Sequence, residues 1–263
     1  NPMQSASLCT VCNSTNTEPL LRVESIPVFC NVLWPSEEEA RKVARGDLNL
    51  FYCRNCGHIF NACFDEALVA YNPSYENSLF FSERFRAYAQ ELAQHLIDRY
   101  DVREKHVIEI ACGKGDFLRL LCDLGNNRGV GFDPSYEPDR NDAHPRIRFV
   151  QDYYAAAYRD VQGDLLCCRH ALEHIPRPTG FLADLRQAVN GNRDAVVFFE
   201  VPNALYTLRD LGIWDLLYEH CSYFTGASLS HAFSAAGFQV LDVRTAFNDQ
   251  FLCLEAGLSN APN

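Results

Sequence analysis

The sequence lacks a long hydrophobic run, a secretory start and an excess of basic residues, and each absence excludes a class of function. No stretch approaches the roughly 20 consecutive apolar residues that a membrane-spanning helix needs. No basic start followed by an apolar segment marks a secretory signal. Lys and Arg number 23 against 34 Asp and Glu, a formal net charge of −11. Because basic side chains supply most nucleic-acid affinity, the acidic balance argues against a nucleic-acid partner without excluding one. We expect a cytoplasmic protein with no membrane partner.

Cysteine, in contrast, is abundant, with 12 residues among 263. Without a secretory signal these thiols are expected in a reducing compartment, so disulfides are not predicted. Four of them form two C-x-x-C units, and two such turns offer four thiolates to one metal ion. Four thiolates complete a closed, tetrahedral zinc site of the structural type. We therefore predict a structural Zn²⁺ ion bound by Cys9, Cys12, Cys53 and Cys56.

Other interpretations of the two C-x-x-C units fit the sequence less well. A redox dithiol of the thioredoxin type lies in a βαβ pattern, and neither unit does. Haem attachment needs a histidine directly after the second cysteine, whereas Gly57 separates Cys56 from His58. His58 is able to replace one ligand, but four thiolates already suffice, so we predict that it belongs to a strand.

Composition divides the chain into three predicted parts. Residues 1–76 are irregular and rich in cysteine, and they form the predicted zinc-binding module. Residues 77–104 are predicted to hold a linker and a first helix, because apolar residues recur at helical spacing after Ser82. Residues 105–263 form a predicted α/β domain.

The predicted module contains a short helix and a strand. Ser36 and Glu39 have the spacing of a capping box, which predicts a helix that begins at Ser36. Gly46 is predicted to end that helix, because glycine readily adopts the left-handed conformation found after a last helical turn. A strand is predicted from Leu48 to Tyr52.

From Lys105 onward, predicted strands alternate with predicted helices. Such alternation is typical of an α/β fold with a doubly wound sheet. Helices are predicted near Asp116–Leu124, Thr179–Val189 and Ser228–Ala236. The seven predicted strands are His106–Ile110, Arg128–Phe132, Arg148–Val150, Leu165–Cys168, Ala195–Glu200, Phe238–Arg244 and Gln250–Ala256.

Acidic residues and glycines lie at the ends of the first three predicted strands. Glu109 is near the end of the first strand, and Gly113 and Gly115 follow it. Asp133 and Asp152 come after the second and third strands. Small residues let backbone approach a ligand, and a carboxylate accepts hydrogen bonds from ribose hydroxyls or an adenine amine. Because ligands bind beyond the carboxyl ends of such strands, the sequence predicts a nucleotide-type pocket there.

These residues resemble the class I S-adenosylmethionine-dependent methyltransferases. The first motif of that family reads acidic-x-Gly-x-Gly-x-Gly, and Ala111 stands at the first glycine here. A dinucleotide enzyme fits less well, because no glycine follows three residues after Gly115. The resemblance, over about residues 82–257, implies a seven-stranded sheet and S-adenosylmethionine as the cofactor. The residues expected to bind the cofactor are Glu109, Cys112, Gly113, Gly115, Asp133, Asp152 and Tyr75.

Titratable residues gather after the fourth and fifth predicted strands, where an acceptor would bind. A histidine is suited to removing a proton near neutral pH, and His220 is the predicted base, with Glu219 orienting it. His170 and Tyr223 are further catalytic candidates. Each also has a structural interpretation, since His170 can bind a loop carbonyl and Tyr223 can pack in the core. Glu173 and His174 are predicted to stabilise the start of the next helix.

The order of elements resembles, more narrowly, the zinc-containing deoxysugar C-methyltransferases, which act on nucleotide-linked keto-sugars. Their motif reads Tyr-His-Glu-His followed by Tyr-Phe, and residues 217–224 match it except at Leu217 and Tyr218. The resemblance implies that His220 makes an enolate at the carbon to be methylated. That family usually continues with a further α/β domain that closes over the sugar, for which the given sequence shows no counterpart. We therefore expect either a shortened relative with a different acceptor, or a pocket completed by the zinc module, by residues 71–78 or by the second subunit of a homodimer.

Three functions remain open on the sequence alone. The first is methyl transfer to carbon, oxygen or nitrogen of a small-molecule acceptor, either a sugar or a secondary metabolite. The second is methylation of ribosomal RNA, against which the acidic composition argues. The third is a zinc-dependent interaction module without activity, against which the acidic residues Glu109, Asp133 and Asp152 argue.

Overall fold

A computed structural model describes residues 7–69, 79–137, 144–154, 156–158 and 160–258. The candidate Tyr75 lies outside these described residues. The strands form one sheet of four strands and one of seven. No helix in the described ranges is long and apolar enough to cross a membrane.

The seven-stranded sheet is built from the predicted α/β region. Its order is β10-β11-β8-β7-β4-β5-β6, and β11 runs antiparallel to both of its neighbours. The strands are β4 (His106–Ile110), β5 (Arg128–Phe132), β6 (Ile147–Val150), β7 (Leu165–Arg169), β8 (Val196–Pro202), β10 (Phe238–Ala246) and β11 (Phe251–Leu258). Since β5 and β6 extend from one side of β4 and β7 and β8 from the other, the switch point lies at the carboxyl ends of β4 and β7.

Helices cover both faces of this sheet, so the predicted doubly wound fold is confirmed. The helices are α2 (Glu83–Tyr100), α3 (Asp116–Gly125), α4 (Pro178–Ala188), α5 (Ala204–Leu208) and α6 (Gly226–Ala235). Val107 and Leu165 pack in one cluster with α2 and α3, and Ile108 and Leu166 pack in another with α4 and α6. Successive strand residues point to opposite faces, which is why an almost wholly apolar strand such as β7 is buried on both sides.

The smaller sheet has the order β1-β2-β3-β9, with all neighbours antiparallel. It comprises β1 (Thr17–Pro27), β2 (Arg45–Cys53), β3 (Ile59–Asn61) and β9 (Ser222–Tyr223). The N-terminal sheet therefore takes its last strand from a segment more than 150 residues further along the chain. The predicted domain boundaries stay a prediction, and β9 joins the two predicted parts.

The predicted helix at Ser36 is present, but its predicted end is wrong. Ser36 caps α1 (Glu37–Arg41), and its Oγ accepts a hydrogen bond from Glu39 N at 3.2 Å. Gly46 does not end this helix, because it lies in β2 and pairs with Ile26 of β1. A side chain at Gly46 would overlap the ring of Tyr218, so close packing requires glycine there.

Candidate functional site

The connection from β4 to α3 forms a tight loop at the carboxyl end of the sheet. Ala111, Gly113 and Gly115 have φ angles of 54°, 53° and 79°, in the left-handed region that glycine adopts at little cost. A Cβ atom on Gly115 would also overlap the ring of Phe149. Cys112, between them, is buried, and its burial raises the thiol pKa. The glycines therefore set the path of the loop, while the thiol stays protonated.

Asp133, directly after β5, holds this loop in place. Its Oδ2 accepts a hydrogen bond from Gly113 N at 2.8 Å. Its Oδ1 accepts from Ser135 N at 2.8 Å and from Ser135 Oγ at 2.6 Å. A carboxylate has about four lone-pair sites, so roughly one is left for a ligand hydroxyl. Asp133 is thus a loop anchor that keeps capacity for one further donor.

Glu109 is more deeply buried than a surface ligand contact would require. It is 3% exposed, and its Oε2 accepts from Leu118 N, in the first turn of α3, at 3.0 Å. Burial raises the pKa of its carboxyl to about 8, against the opposing charge of Arg169. The carboxyl therefore caps α3, and the cofactor contact of Glu109 stays a prediction.

Asp152 follows β6 on the exposed side of the same edge. Its Oδ2 accepts a hydrogen bond from Tyr158 Oη at 2.6 Å, and its Oδ1 accepts from Tyr153 N at 2.8 Å. The contact of Asp152 with an adenine amine stays a prediction, and the side chain lies where a ligand could reach it.

A buried ion pair lies at the adjacent ends of β7 and β8. Arg169 Nη2 and Nε are 2.7 and 3.0 Å from Glu200 Oε1. Burial alone would raise the pKa of Glu200, but the charges of Arg169 and His170 hold it at about 2. Tyr88 of α2 donates its hydroxyl proton to the same carboxylate. Glu200 is consequently a fixed negative charge, with Arg169, His170, Tyr88 and the Cys253 thiol around it.

His170 occupies the first position after β7 in a left-handed conformation. Its φ is 51°, and its Nε2 lies 2.8 Å from Glu200 Oε1. Its ring meets Phe251 edge-on, with ring centroids 4.6 Å apart. The Glu200 carboxylate therefore orients the imidazole. The sequence had instead offered a loop carbonyl as its structural partner. The catalytic role of His170 stays a prediction.

Three titratable side chains converge next to this pair. One ligand atom each of Glu173, His174 and His220 lies within 4.8 Å of the other two. The rings of His174 and His220 are nearly perpendicular, with centroids 4.8 Å apart. His220 Nδ1 is 3.1 Å from Asp215 O, so Nδ1 donates its proton and Nε2 is left as the acceptor.

Burial sets the protonation states of this cluster, here named the histidine cluster (Glu173, His174 and His220). Burial and the charge of His170 lower the pKa of His174 to about 4. Burial, with His174 as the next cause, lowers the pKa of His220 well below its usual value. Burial raises the pKa of Glu173 to about 7. Both imidazoles are therefore neutral at pH 7, beside a carboxyl that exchanges a proton near that pH.

Sequence reasoning did not join Glu173 and His174 to His220. It predicted that they stabilise the start of the next helix, which stays a prediction; they lie in a separate 3-10 helix, Leu172–His174, before α4. The available signal was their position directly after a buried parallel strand, at the edge where ligands bind. The spacing gave no indication that His220, from a distant loop, packs on them.

The other two predicted catalytic residues are tied to structural partners. Tyr223 is buried in β9, its hydroxyl donates to Leu217 O at 3.0 Å, and burial raises its pKa. Glu219 is fully buried, and its Oε2 accepts from Cys30 N at 3.0 Å. Their catalytic roles stay predictions, and the observed contacts orient the backbone on either side of His220.

The four predicted zinc ligands are brought together. All four sulfur atoms lie within 4.8 Å of one another, with Cys9–Cys56 and Cys12–Cys53 separations of 3.7 and 3.5 Å. Tetrahedral zinc with Zn–S bonds near 2.3 Å would place sulfur atoms about 3.8 Å apart. Asn55 Nδ2 approaches Cys12 Sγ at 3.5 Å, as a donor to a thiolate would. This donor set fits a structural zinc ion.

The prediction that His58 belongs to a strand is wrong by one residue, because β3 begins at Ile59. His58 is fully buried directly before β3, and its ring lies 4.9 Å from that of Phe224. Burial lowers its pKa to about 3, so the ring is neutral. It is not a member of the four-cysteine group.

Comparisons with known proteins relate the chain to methyltransferases. A family described as a methyltransferase domain matches residues 80–243. The chain is 24% identical over 252 residues to the C-methyltransferase NovU of Streptomyces niveus. That alignment covers 90% of this chain and 57% of NovU, so the chain spans little more than half the length of this curated relative.

Solved structures share the fold at low identity. A putative S-adenosylmethionine-dependent methyltransferase from Listeria monocytogenes matches with a TM-score of 0.50 and 15% identity, over 64% of this chain and 98% of that one. The 1,6-didemethyltoxoflavin-N1-methyltransferase of Burkholderia thailandensis matches with a TM-score of 0.50 and 14% identity, over 80% and 99%. These likenesses show the fold alone, and they agree with the family resemblance noted from the sequence.

Proposed function

The chain belongs to the methyltransferase-domain family, and on that premise we propose that it transfers a methyl group from S-adenosylmethionine to a carbon atom of a small-molecule acceptor. The observation that carries this proposal is the meeting of two features at one sheet edge. The loop anchored by Asp133 follows β4, and the neutral histidine cluster follows β7, which pairs with β4. The two strands are neighbours, so a cofactor on the first would face an acceptor on the second.

The cofactor half rests on the β4–α3 loop and Asp133. The B. thailandensis relative was solved with S-adenosylhomocysteine bound, which supports the same class of ligand here. Asp133 would accept a ribose hydroxyl, and Gly113 would offer backbone without a side chain in the way. The bound cofactor supplies a methyl group on a positively charged sulfur, which an electron-rich carbon can attack.

The acceptor half favours removal of a proton from carbon. A carbon next to a ketone must lose a proton before it can attack a methyl group, and a neutral imidazole can take that proton. His220 Nε2 is the candidate base, since Nδ1 is engaged by Asp215 O. The imidazolium formed would be buried, so an ionised Glu173 beside it would stabilise the charge. Similarity to NovU supports a nucleotide-linked keto-sugar as the acceptor.

Replacement of His220 by alanine tests this assignment. With a nucleotide-linked keto-sugar in deuterated water, we expect methyl transfer and hydrogen exchange at the carbon beside the ketone to fall about 10²- to 10⁴-fold. Affinity for S-adenosylhomocysteine should stay within a factor of about two, because no cofactor-loop contact is removed. His106→Ala, at the opposite end of β4, is the matched control and should retain both rates. Unchanged exchange in His220→Ala would overturn the role of His220 as the base.

The methylated product distinguishes this proposal from its alternatives. A methyl group on oxygen or nitrogen, identified by carbon NMR, would favour the secondary-metabolite interpretation and would overturn proton removal from carbon, because the base would then take the proton of a hydroxyl or amine. Activity on RNA but not on small acceptors would favour the RNA interpretation, against a net charge of −11.

We further propose that the four cysteines bind one structural zinc ion. Their sulfur geometry supports it, and four thiolates leave no open position for chemistry. Elemental analysis should find one zinc per chain, and Cys12→Ser should lose it. A zinc content near zero in protein prepared without chelators would reject the site.

A further inference from the structure

The segment 218–224, here named the catalytic segment, carries His220 and is held largely by the N-terminal sheet. We propose that Tyr218 is a positioning residue that fixes His220 by anchoring this segment to the N-terminal module. The inference rests on the proposed function in assigning chemistry to His220. Its structural part, the position of the His220 ring, is testable without any turnover.

Tyr218 lies two residues before His220 and is surrounded by N-terminal residues. Its side chain is 1% exposed, and its ring lies against the bare Cα of Gly46 in β2. The ring also stacks on Phe64, with centroids 5.6 Å apart. Its hydroxyl accepts a hydrogen bond from Asp65 N at 2.9 Å. Contacts from two places in the N-terminal module, Gly46 and the adjacent Phe64 and Asp65, therefore fix one side chain.

The residues on both sides of His220 also contact the same module, although Cys221 N donates in addition to Glu173 O at 2.9 Å. Just before His220, Glu219 accepts a hydrogen bond from Cys30 N. Just after it, Cys221 O accepts from Asn61 N at 3.0 Å, and β9 pairs with β3. The His220 side chain, in contrast, contacts methyltransferase-domain groups, namely Asp215 O and the ring of His174. His220 thus lies at the seam between the two parts.

Position at this seam matters because a base acts only within hydrogen-bond reach of its proton. A misplacement of about 1 Å can cost about 10²-fold in rate. A substitution that shifts the Tyr218 ring should therefore lower kcat while the cofactor loop, which follows β4, is untouched. If Tyr218 served only core packing, the same substitution would lower the stability of the protein without a selective fall in kcat.

Two variants perturb the anchor in different ways. Tyr218→Phe removes the hydroxyl that accepts from Asp65 N and keeps the ring. Gly46→Ala places a methyl group where the ring lies, so it displaces the ring. Tyr100→Phe is the matched control, because it also removes a partly buried hydroxyl contact, to Glu255, on the far side of the large sheet.

The primary measurement is the NMR spectrum of the His220 ring nitrogens, in full-length protein labelled at histidine. We expect the His220 signals to move in Tyr218→Phe and Gly46→Ala and to stay unchanged in Tyr100→Phe. We also expect kcat to fall at least about tenfold in Gly46→Ala, with S-adenosylhomocysteine affinity within about twofold. Adding Gly46→Ala to Tyr218→Leu should move the signals little further than Tyr218→Leu alone, because both substitutions disrupt the same contact.

The alternative outcomes are separable from failure of the proposed function. If Tyr218→Phe and Gly46→Ala lower thermal stability as Tyr100→Phe does, and the His220 signals do not move, Tyr218 is only a packing residue. That result overturns the inference. If the signals move but His220→Ala retains full exchange and turnover, the positioning stands and the base assignment fails. Additive effects of Gly46→Ala and Tyr218→Leu would also overturn the direct contact.

Discussion

The substitution Asp133→Asn keeps the shape of the side chain but removes its charge and one acceptor oxygen. In the structure, Oδ2 accepts from Gly113 N and Oδ1 accepts from Ser135 N and Oγ. An asparagine has only one oxygen, so in either orientation its NH₂ group faces a backbone N–H. The substitution thus removes at least one charge-assisted hydrogen bond and sets two donors against each other.

The size of the effect follows from the bonds lost. A hydrogen bond to a charged group contributes about 1.5–3 kcal/mol, and the free energy of unfolding should fall by about that amount. The bond to Gly113 shapes the loop that is proposed to receive the cofactor. Since each 1.4 kcal/mol is about tenfold in a dissociation constant, affinity for S-adenosylhomocysteine should fall roughly 10- to 150-fold.

Calorimetric titration with S-adenosylhomocysteine, alongside urea unfolding, measures both quantities. Asp152→Asn is the matched control, because this exposed carboxylate anchors no glycine of the loop and should lose less than about threefold in affinity. A fall in stability with unchanged affinity would mean that Asp133 serves the fold only. Unchanged stability and affinity together would refute the assignment of Asp133 as the loop anchor.

Three further predictions concern the buried charges and the zinc. Glu200→Gln leaves Arg169 buried without its counter-charge, so urea unfolding should show a loss of about 3–5 kcal/mol, and a loss under about 1 kcal/mol would contradict the pair. Cys53→Ser should abolish bound zinc and lower the melting temperature, whereas Cys167→Ser, at a buried cysteine of β7, should leave the zinc content unchanged. Because the pKa of Glu173 is raised to about 7, its stabilising contribution is present below its usual pKa and is lost as pH rises through about 7. Glu173→Gln should remove that fall in stability. If ionised Glu173 assists His220, kcat/KM of the unsubstituted protein should rise over the same pH range, and Glu173→Gln should remove that rise as well.

Local patterns were sufficient where burial itself is local. β7 is apolar at four consecutive positions because helices cover both faces of the sheet, and β4 and β5 were predicted to the residue. β9 was missed, since a strand of two residues exists only through pairing with β3. Gly46 was misinterpreted for the same reason: the need for glycine comes from Tyr218, which is remote in sequence.

The same distinction between local and long-range contacts explains which features of the site could be predicted. The four cysteines were predictable, because each C-x-x-C turn brings two sulfurs together within one short segment. The donors that occupy Asp133 and Glu109 were not, since whether a carboxylate faces a ligand or a helix start depends on the path of the loop. The predicted homodimer and domain boundaries stay predictions.

Two carboxyl groups beside the histidines have opposite environments, and this difference assigns their tasks. Glu200 is paired with Arg169, so its pKa stays at about 2 and it carries a constant charge. Glu173 is almost as buried but faces only histidines, at 3.9 and 4.0 Å, and burial raises its pKa to about 7 against the charge of His170. Where environments separate two pKa values in this way, the fixed charge orients and the titrating group takes part in proton transfer. On the proposed function, Glu200 would orient His170, and Glu173 would follow the protonation of His220 through a catalytic cycle.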